Sequence, residues 1–174
     1  MIELVLGGAR SGKSRHAAQR AAAGALPVTL IATGEALDEE MRTRIARHRA
    51  ERDPRWKTIE APLDLPRQLI VQARPGNCVI VDCLTLWLSN RLLAAPDDAG
   101  DAAGEAAAAE LIAALNRCGG HVILVSNEVG LGLVPETPLG RAFRDAQGRL
   151  NQAVAAMAQR VVFVAAGLPL VLKG

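Results

Sequence analysis

The first residues with a recognisable chemistry form a glycine-rich loop close to the start of the chain. Eight consecutive residues match the pattern G-x-x-x-x-G-K-[ST] at every position: Gly7, Gly8, Ala9, Arg10, Ser11, Gly12, Lys13 and Ser14. Glycines let the backbone turn tightly, so that successive N–H groups converge on a phosphate. We expect Lys13 to reach the β- and γ-phosphates and the Ser14 hydroxyl to ligate Mg²⁺. The loop therefore predicts binding of ATP or GTP.

Acidic residues that could complete a metal site follow two of the apolar runs. Asp82 ends the run at 78–81, and an acidic residue at the end of such a strand is the usual second protein contact of Mg²⁺. Glu128 follows the run at 121–125, at the carboxyl edge of the sheet where ligands bind. We expect Asp82 to hold the metal and Glu128 to orient the metal or a substrate hydroxyl. The structural alternatives are a helix cap for Asp82 and a turn cap for Glu128.

A histidine lies within a strongly charged segment at 37–52. Asp38 is suited to cap a helix there, because acidic residues follow it and arginines come towards the end. Met41, Ile45 and His48 fall at the helical spacing i, i+4 and i+7, so that they share one face. His48 is therefore either a packed core histidine or a reactive one, and the residues alone leave both open. The arginines are either phosphate contacts or a solvated face: Arg44, Arg47, Arg49 and Arg52.

The elements that must position these residues alternate along the chain. Short continuous apolar runs, typical of strands buried on both faces of a parallel sheet, lie at 2–6, 28–32, 78–81, 121–125 and 161–165. Helical stretches lie between and around them at 13–23, 37–52, 64–74, 84–93, 101–117 and 138–158. A last run at 170–172 follows Gly167 and Pro169 and predicts a short edge strand. The tight reversal that these two residues favour predicts that this strand is antiparallel. This pattern predicts an α/β fold with a mostly parallel sheet and helices on both faces.

Bulk properties narrow the class of protein further. The chain has 174 residues and a net charge of +2, which fits one domain over 1–174 and favours no nucleic-acid partner. Only two Trp, two Phe and no Tyr could stack on bases. Three cysteines form no zinc spacing and are expected to be free thiols. No apolar run approaches the ~20 residues that span a bilayer. The start of the chain carries no export pattern, so we expect a cytoplasmic protein.

The phosphate loop belongs to many classes of protein, and sequence features exclude several of them. The chain lacks the tetrapeptide Asn-Lys-x-Asp by which switch-type GTPases read guanine. A motor or helicase module would be longer and more basic. A kinase that acts on a small molecule is the class that remains.

Seven segments in this order resemble one family, the bifunctional adenosylcobinamide kinase / adenosylcobinamide-phosphate guanylyltransferase of cobalamin biosynthesis. They include Val-Asp-Cys-Leu-Thr-Leu-Trp-Leu-Ser-Asn at 81–90 and Ser-Asn-Glu-Val-Gly at 126–130. All seven lie at 7–16, 31–33, 38–48, 56–60, 81–90, 126–136 and 141–152. The resemblance therefore runs nearly end to end, leaving out the alanine-rich stretch after Leu93.

The resemblance implies two reactions in one chain, on a RecA-like P-loop fold. The first phosphorylates the aminopropanol hydroxyl of adenosylcobinamide with ATP or GTP. The second transfers GMP from GTP to that phosphate through a guanylylated histidine, giving adenosylcobinamide-GDP and pyrophosphate. By position in the family pattern, His48 is that histidine, although Arg47 stands where some relatives have a second one. His16 is the other candidate, with a structural role expected on the first helix.

Further roles follow from the same resemblance. Thr33 and Glu60 are expected in the nucleotide site, with Glu60 accepting from the N1–H and N2 amine of guanine. Three arginines are either phosphate or corrinoid contacts or a charged helix face: Arg141, Arg144 and Arg149. Members of the family assemble as trimers, so we expect a homo-oligomer. The alternatives are a P-loop kinase of another small alcohol, in which His48 is merely packed, and a nucleotide-dependent regulator without chemistry of its own.

Overall fold

A computed structural model describes residues 1–35, 38–50, 53–96 and 100–174, apart from the side chains at 40, 41, 44, 47, 48, 50 and 100. Strands and helices alternate over these ranges, as the apolar runs predict. The elements in chain order are β1 Ile2–Gly7, α1 Lys13–Ala22, β2 Val28–Ala32, α2 Glu39–Ala50, β3 Lys57–Glu60, α3 Leu65–Gln72, β4 Cys78–Asp82, α4 Leu84–Leu93, α5 Gly100–Leu115, β5 His121–Asn127, α6 Pro138–Met157, β6 Arg160–Ala165 and β7 Leu168–Lys173. Positions 37, 51 and 52 of the predicted second helix lie outside the described residues.

The strands form one sheet in the order β3-β2-β4-β5-β1-β6-β7. All neighbouring strands are parallel except β6 and β7, which are antiparallel. The predicted α/β fold with an antiparallel edge strand is therefore confirmed. The reversal before β7 is made at Ala166 and Gly167, and Pro169 lies within the edge strand opposite Val164, a position that proline tolerates because an edge strand has a free side.

Strand β3 is missing from the strands predicted by apolar runs. Its four residues, Lys57 to Glu60, pair only with β2 at the edge of the sheet, and three of them are exposed. A short edge strand needs no continuous apolar run, because one side of it faces solvent. For this reason the pattern that located the central strands does not find it.

Two apolar clusters cover the two faces of the sheet. The larger one joins the strands to α3, α4, α5 and α6 and includes the fully buried Leu4, Leu124, Trp87 and Leu150. The smaller one packs α1 against the opposite face through Ala17 and Ala21. Both faces are therefore filled, and the site residues must lie at an edge of the sheet. Over the described ranges, no helix is both long and apolar enough to cross a membrane.

A buried ionic cluster stabilises the amino edge of the sheet, away from the phosphate loop. Glu3 is 1% exposed and accepts hydrogen bonds from Arg20 Nη2 at 2.6 Å and Nε at 3.1 Å. Its Oε1 also lies 3.0 Å from His121 Nε2. Burial raises the pKa of Glu3, but the hydrogen bonds to His121 and Arg20 outweigh it and hold the pKa at about 2. The carboxylate is therefore charged at neutral pH, and the cluster gives α1 a fixed anchor on β1 and β5.

The cysteines are free thiols, as predicted, and two of the three are buried. Burial raises the pKa of Cys78 and of Cys83 to about 11. Neither thiol is therefore a nucleophile at neutral pH.

Candidate functional site

The phosphate loop connects the end of β1 to the start of α1, as its sequence predicts. Lys13 opens α1 and is buried, and its Nζ donates a hydrogen bond to the carbonyl of Gly8 at 3.0 Å. Gly7 has no room for a side chain, because a Cβ there would lie 2.5 Å from both Ser11 Oγ and the Val164 carbonyl. The loop is thus closely packed on its own residues and on β6. Helix α1 begins within the loop, so that the N-terminus of the helix faces the predicted phosphate site.

The turn between β6 and β7 contacts the phosphate loop. Ala166 and Gly167 both have positive φ values, 51° and 80°, which suits a two-residue hairpin turn. The N–H of Gly167 donates to the carbonyl of Ser11 at 2.8 Å. One backbone hydrogen bond therefore ties the edge hairpin to the middle of the loop.

The predicted metal pair comes together in the structure. Ser14 Oγ donates to Asp82 Oδ1 at 3.3 Å, at the carboxyl edge of the sheet. Strand β4, which carries Asp82, is not a direct neighbour of β1, because β5 lies between them. The order of the strands thus brings together two residues that are far apart in the chain. The Ser14 hydroxyl and an Asp82 carboxylate oxygen lie next to each other at the carboxyl edge of the sheet.

Glu128 lies beside the phosphate loop, immediately after β5. Its N–H donates to the Gly7 carbonyl at 3.1 Å, and its Oε1 accepts from the Gly130 N–H at 2.8 Å. The carboxylate caps a turn, as the structural alternative expects. Its place next to Gly7 also keeps it among the residues that could reach a substrate, so its catalytic role stays a prediction.

Thr33 follows β2 and has no exposed surface. Its hydroxyl donates to the Cys83 carbonyl at 2.7 Å and accepts from the Cys83 N–H at 2.9 Å. The nucleotide contact predicted for Thr33 stays a prediction, and the hydroxyl is engaged within the fold.

Helix α2 brings the segment with the candidate nucleophile to the same edge of the sheet. His48 lies within α2, and its side chain is outside the described residues. The next residue, Arg49, forms an ion pair with Glu60 at the end of β3. One helical turn before Arg49, Ile45 lies 3.8 Å from a Cβ built on Gly34, which would also lie 3.3 Å from Leu86 of α4. These contacts place the backbone of α2 over the carboxyl ends of β2 and β3.

Some of the arginines singled out in the sequence form contacts within the fold, and the side chains of others lie outside the described residues. Arg141 donates to the carbonyls of Pro135 and Glu136 at 3.1 and 2.7 Å. Arg144 pairs with Asp145 at 3.1 Å and Arg149 with Asp101 at 3.4 Å. These contacts favour the charged-face alternative for α6. The side chains of Arg44 and Arg47 and the whole of Arg52 lie outside the described residues.

His16 lies on α1, the helix on which a structural role is expected for it. Burial lowers its pKa, with nearby Arg20 adding to the effect. A partly buried, neutral imidazole favours the structural role, which stays a prediction.

A polar network under the Asn127–Glu128 segment is missing from the predicted site residues. Gln147 and Asn151 of α6 are buried and bind the hydroxyl of Ser126, with distances of 2.7 to 3.0 Å. Asn151 Nδ2 also donates to the Asn127 carbonyl at 3.1 Å. The spacing i, i+4 of two amides on the same helix face as Leu150 and Val154 is a signal that could have found the network.

Comparisons with known proteins agree on one family. A profile of the family described as cobinamide kinase / cobinamide phosphate guanyltransferase matches residues 3–172. The bifunctional adenosylcobalamin biosynthesis protein CobP of Pseudomonas aeruginosa is 51% identical over 174 residues, which cover 100% of this chain and 98% of that protein. The proteins named CobU of Escherichia coli and Salmonella typhimurium are 41% and 42% identical, covering 99% of this chain and 100% of each relative.

Proposed function

The chain belongs to the cobinamide kinase / cobinamide phosphate guanyltransferase family, and we propose that the carboxyl edge of its sheet carries both reactions of that family. The kinase step is assigned to the phosphate loop, Asp82 and Glu128, and the guanylyl step to His48 on α2. The contact between Ser14 and Asp82 carries this assignment, because it joins the phosphate loop to a carboxylate as Mg²⁺-dependent phosphoryl transfer requires.

In the kinase step, the aminopropanol hydroxyl oxygen of adenosylcobinamide attacks the γ-phosphorus of ATP or GTP. The bond between that phosphorus and the β-bridging oxygen breaks, and the nucleoside diphosphate leaves. Lys13 stabilises the negative charge that develops on the departing oxygen. Glu128 accepts the hydroxyl proton in this assignment, which its place beside Gly7 supports.

The residues at this edge fit Mg²⁺. This ion prefers oxygen ligands, and it usually takes one or two from the protein and the rest from phosphates and water. The Ser14 hydroxyl and the Asp82 carboxylate are such a pair, and among the described residues no cluster of three His, Cys, Asp or Glu side chains offers a fuller cage. When bound, Mg²⁺ supplies positive charge beside the β- and γ-phosphates.

In the guanylyl step, an imidazole nitrogen of His48 attacks the α-phosphorus of GTP. A P–N bond forms, and pyrophosphate leaves. A phosphate oxygen of adenosylcobinamide phosphate then attacks the same phosphorus, the P–N bond breaks, and adenosylcobinamide-GDP is released. A covalent intermediate splits one difficult substitution into two easier ones, and a neutral imidazole is nucleophilic near pH 7.

The guanine base is assigned to Glu60. Its carboxylate could accept from both the N1–H and the N2 amine, a pair of donors that adenine does not offer. Glu60 pairs with Arg49, the residue after His48. The residue assigned to the base therefore contacts the helix that carries His48, which supports the assignment of GTP to the second step.

A product assay separates this function from a plain small-molecule kinase. With adenosylcobinamide and γ-labelled ATP, the corrinoid should acquire the label. GTP alone should release at most one equivalent of pyrophosphate per active site, and continued release should require the phosphorylated corrinoid. Phosphorylation without any release of pyrophosphate would leave the kinase alternative. The trimeric state and the cytoplasmic location expected for this family stay predictions, to be checked by light scattering and by fractionation of cells.

A further inference from the structure

We propose that Thr33 is a positioning residue for Asp82, which acts on the metal site through the backbone and does not contact the nucleotide. This inference rests on the proposed function, in which Asp82 holds Mg²⁺. It reassigns a residue that the family resemblance places in the nucleotide site.

The polar groups of Thr33 bracket the chain where it leaves Asp82. The Thr33 N–H donates to the Asp82 carbonyl at 3.2 Å. Its hydroxyl then spans the following residue, donating to the Cys83 carbonyl at 2.7 Å and accepting from the Cys83 N–H at 2.9 Å. With no surface exposed, Thr33 offers no atom to a ligand. Its contacts fix the backbone from which the Asp82 carboxylate projects.

Asn90 extends this clamp to a third loop. Its Nδ2 donates to the Thr33 carbonyl at 2.9 Å and to the Pro62 carbonyl at 3.1 Å. Asn90 lies on α4 and is buried. The Asn90 side chain therefore joins three segments. The segment after β2 leads to α2, which carries His48, the segment after β3 follows Glu60, and α4 itself follows Asp82. We call the contacts of Thr33 and Asn90 the carboxyl-edge clamp.

The chemistry of Mg²⁺ explains why such a clamp matters. The ion demands near-ideal octahedral geometry at short distances, so that a small shift of one carboxylate weakens binding. A hydroxyl can donate and accept at once, which valine of the same shape cannot do. Thr33→Val would leave the buried N–H and carbonyl of Cys83 without their partner, and Thr33→Ser would keep both hydrogen bonds.

The experiment compares Thr33 with Thr29, a matched threonine on β2, the strand that Thr33 follows. Thr29 is also buried, but it accepts its hydrogen bond from Asn77 Nδ2 at 3.3 Å, near the opposite end of β2. The readouts are the Mg²⁺ concentration that gives half-maximal phosphorylation of adenosylcobinamide, and ATP binding in EDTA. Thr33→Val should raise the Mg²⁺ requirement about tenfold or more, as lost support of a metal ligand typically does. It should leave ATP binding in EDTA within about twofold.

Two variants should keep the wild-type requirement for Mg²⁺. The Mg²⁺ requirement of Thr33→Ser should stay within about twofold of wild type because the hydroxyl is retained. That of Thr29→Val should also stay within about twofold because Thr29 bonds to Asn77 near the opposite end of β2. Both valine variants should lose stability, since each removes a partner of a buried or partly buried polar group. Should Thr33→Val not fold by circular dichroism, Asn90→Ala takes its place, with a raised Mg²⁺ requirement expected for the same reason. A wild-type requirement in the folded variant, or an equal increase in Thr29→Val, would overturn the proposal.

Asp82→Asn, measured alongside, separates this proposal from the function on which it rests. If Asp82→Asn raises the Mg²⁺ requirement and Thr33→Val does not, the clamp fails and the metal site stands. If Asp82→Asn itself has a wild-type requirement, Asp82 holds no metal and both assignments are overturned.

Discussion

Ser14 and Asp82 are 68 positions apart in the chain, and the Ser14 hydroxyl donates to the Asp82 carboxylate at 3.3 Å. The contact connects the first turn of α1 with the end of β4 across the intervening strand β5. The sequence predicts both residues as metal ligands, by the loop pattern and by the apolar run before Asp82. Their proximity is what the magnesium assignment requires.

Asp82→Asn should raise the Mg²⁺ requirement of the kinase step by about tenfold or more, because the neutral amide keeps the shape but loses the charge. Magnesium titration of adenosylcobinamide phosphorylation measures this. Asp64→Asn is the matched control, since Asp64 precedes α3 and pairs with the exposed Arg67 at 3.3 Å. A Mg²⁺ dependence like that of the wild type in Asp82→Asn would remove Asp82 from the site.

Lys13→Ala should lower the rate of the kinase step by ~100-fold or more, because the charge that faces the β- and γ-phosphates is lost. Steady-state phosphorylation at saturating Mg²⁺ checks this. Lys57→Ala, which removes an exposed lysine bonded to Gln72 at 3.3 Å, serves as the control and should behave like wild type. Near-normal phosphorylation by Lys13→Ala would refute the assignment of the phosphate loop.

Gly167→Ala should weaken ATP binding through the support that the edge turn gives to Ser11. A φ of 80° strains any residue with a Cβ by roughly 1 kcal/mol, and relief of that strain would displace the hydrogen bond at 2.8 Å from Gly167 to Ser11. If this displacement reaches the loop, the Kd for ATP rises about fivefold, the equivalent of that energy.

Gly76→Ala is the control for this strain. Gly76 has a φ of 83° and open space around it, far from the phosphate loop in the turn before β4. Both variants should lose similar thermal stability, and only Gly167→Ala should bind ATP more weakly. Equal ATP affinities in the two variants would show that the turn does not support the loop.

Glu3→Gln should remove one part of the acid sensitivity of the fold. The pKa of Glu3 is lowered from 4.5 to about 2, so its contribution is present above pH 4.5 and is lost as the pH falls towards 2. A shift of this size corresponds to about 3 kcal/mol. Urea unfolding at pH 7 and pH 3 should show a smaller difference in the free energy of unfolding for Glu3→Gln than for wild type.

Glu110→Gln provides the exposed counterpart of that test. Hydrogen bonding to Arg91 lowers the pKa of Glu110, but surface ion pairs contribute only about 0–1 kcal/mol. Its difference between pH 7 and pH 3 should therefore stay close to that of wild type. If Glu3→Gln also keeps the wild-type difference, the buried cluster does not account for the acid sensitivity.

The sequence predicted most of the fold because the signals were local. The central strands are continuous apolar runs, and the phosphate loop is a contiguous pattern from Gly7 to Ser14, so neither depends on distant contacts. Strand β3 escaped prediction because an exposed edge strand carries no such run. The antiparallel edge strand was predicted, but its turn lies at Ala166 and Gly167, since Pro169 is tolerated within an edge strand.

The supporting contacts of the site were beyond sequence reasoning. The bonds from Thr33 to Cys83, from Asn90 to Pro62 and from Gly167 to Ser11 each join segments that the sheet order alone brings together. No spacing in the chain reports such a pairing. The ion pair of Arg49 with Glu60 is of the same kind. For His48, the position on α2 is as predicted, and its chemical role rests on the family.

Covalent labelling with GTP tests the central claim most directly. The protein is incubated with Mg²⁺ and GTP labelled at the α-phosphate and is then denatured, and the retained label is compared in wild type, His48→Ala and His16→Ala. We predict an acid-labile, alkali-stable label in wild type and in His16→Ala, and none in His48→Ala, as expected for a phosphoramidate at His48. Label retained by His48→Ala, or absent from the wild type, would contradict the guanylylated-histidine mechanism.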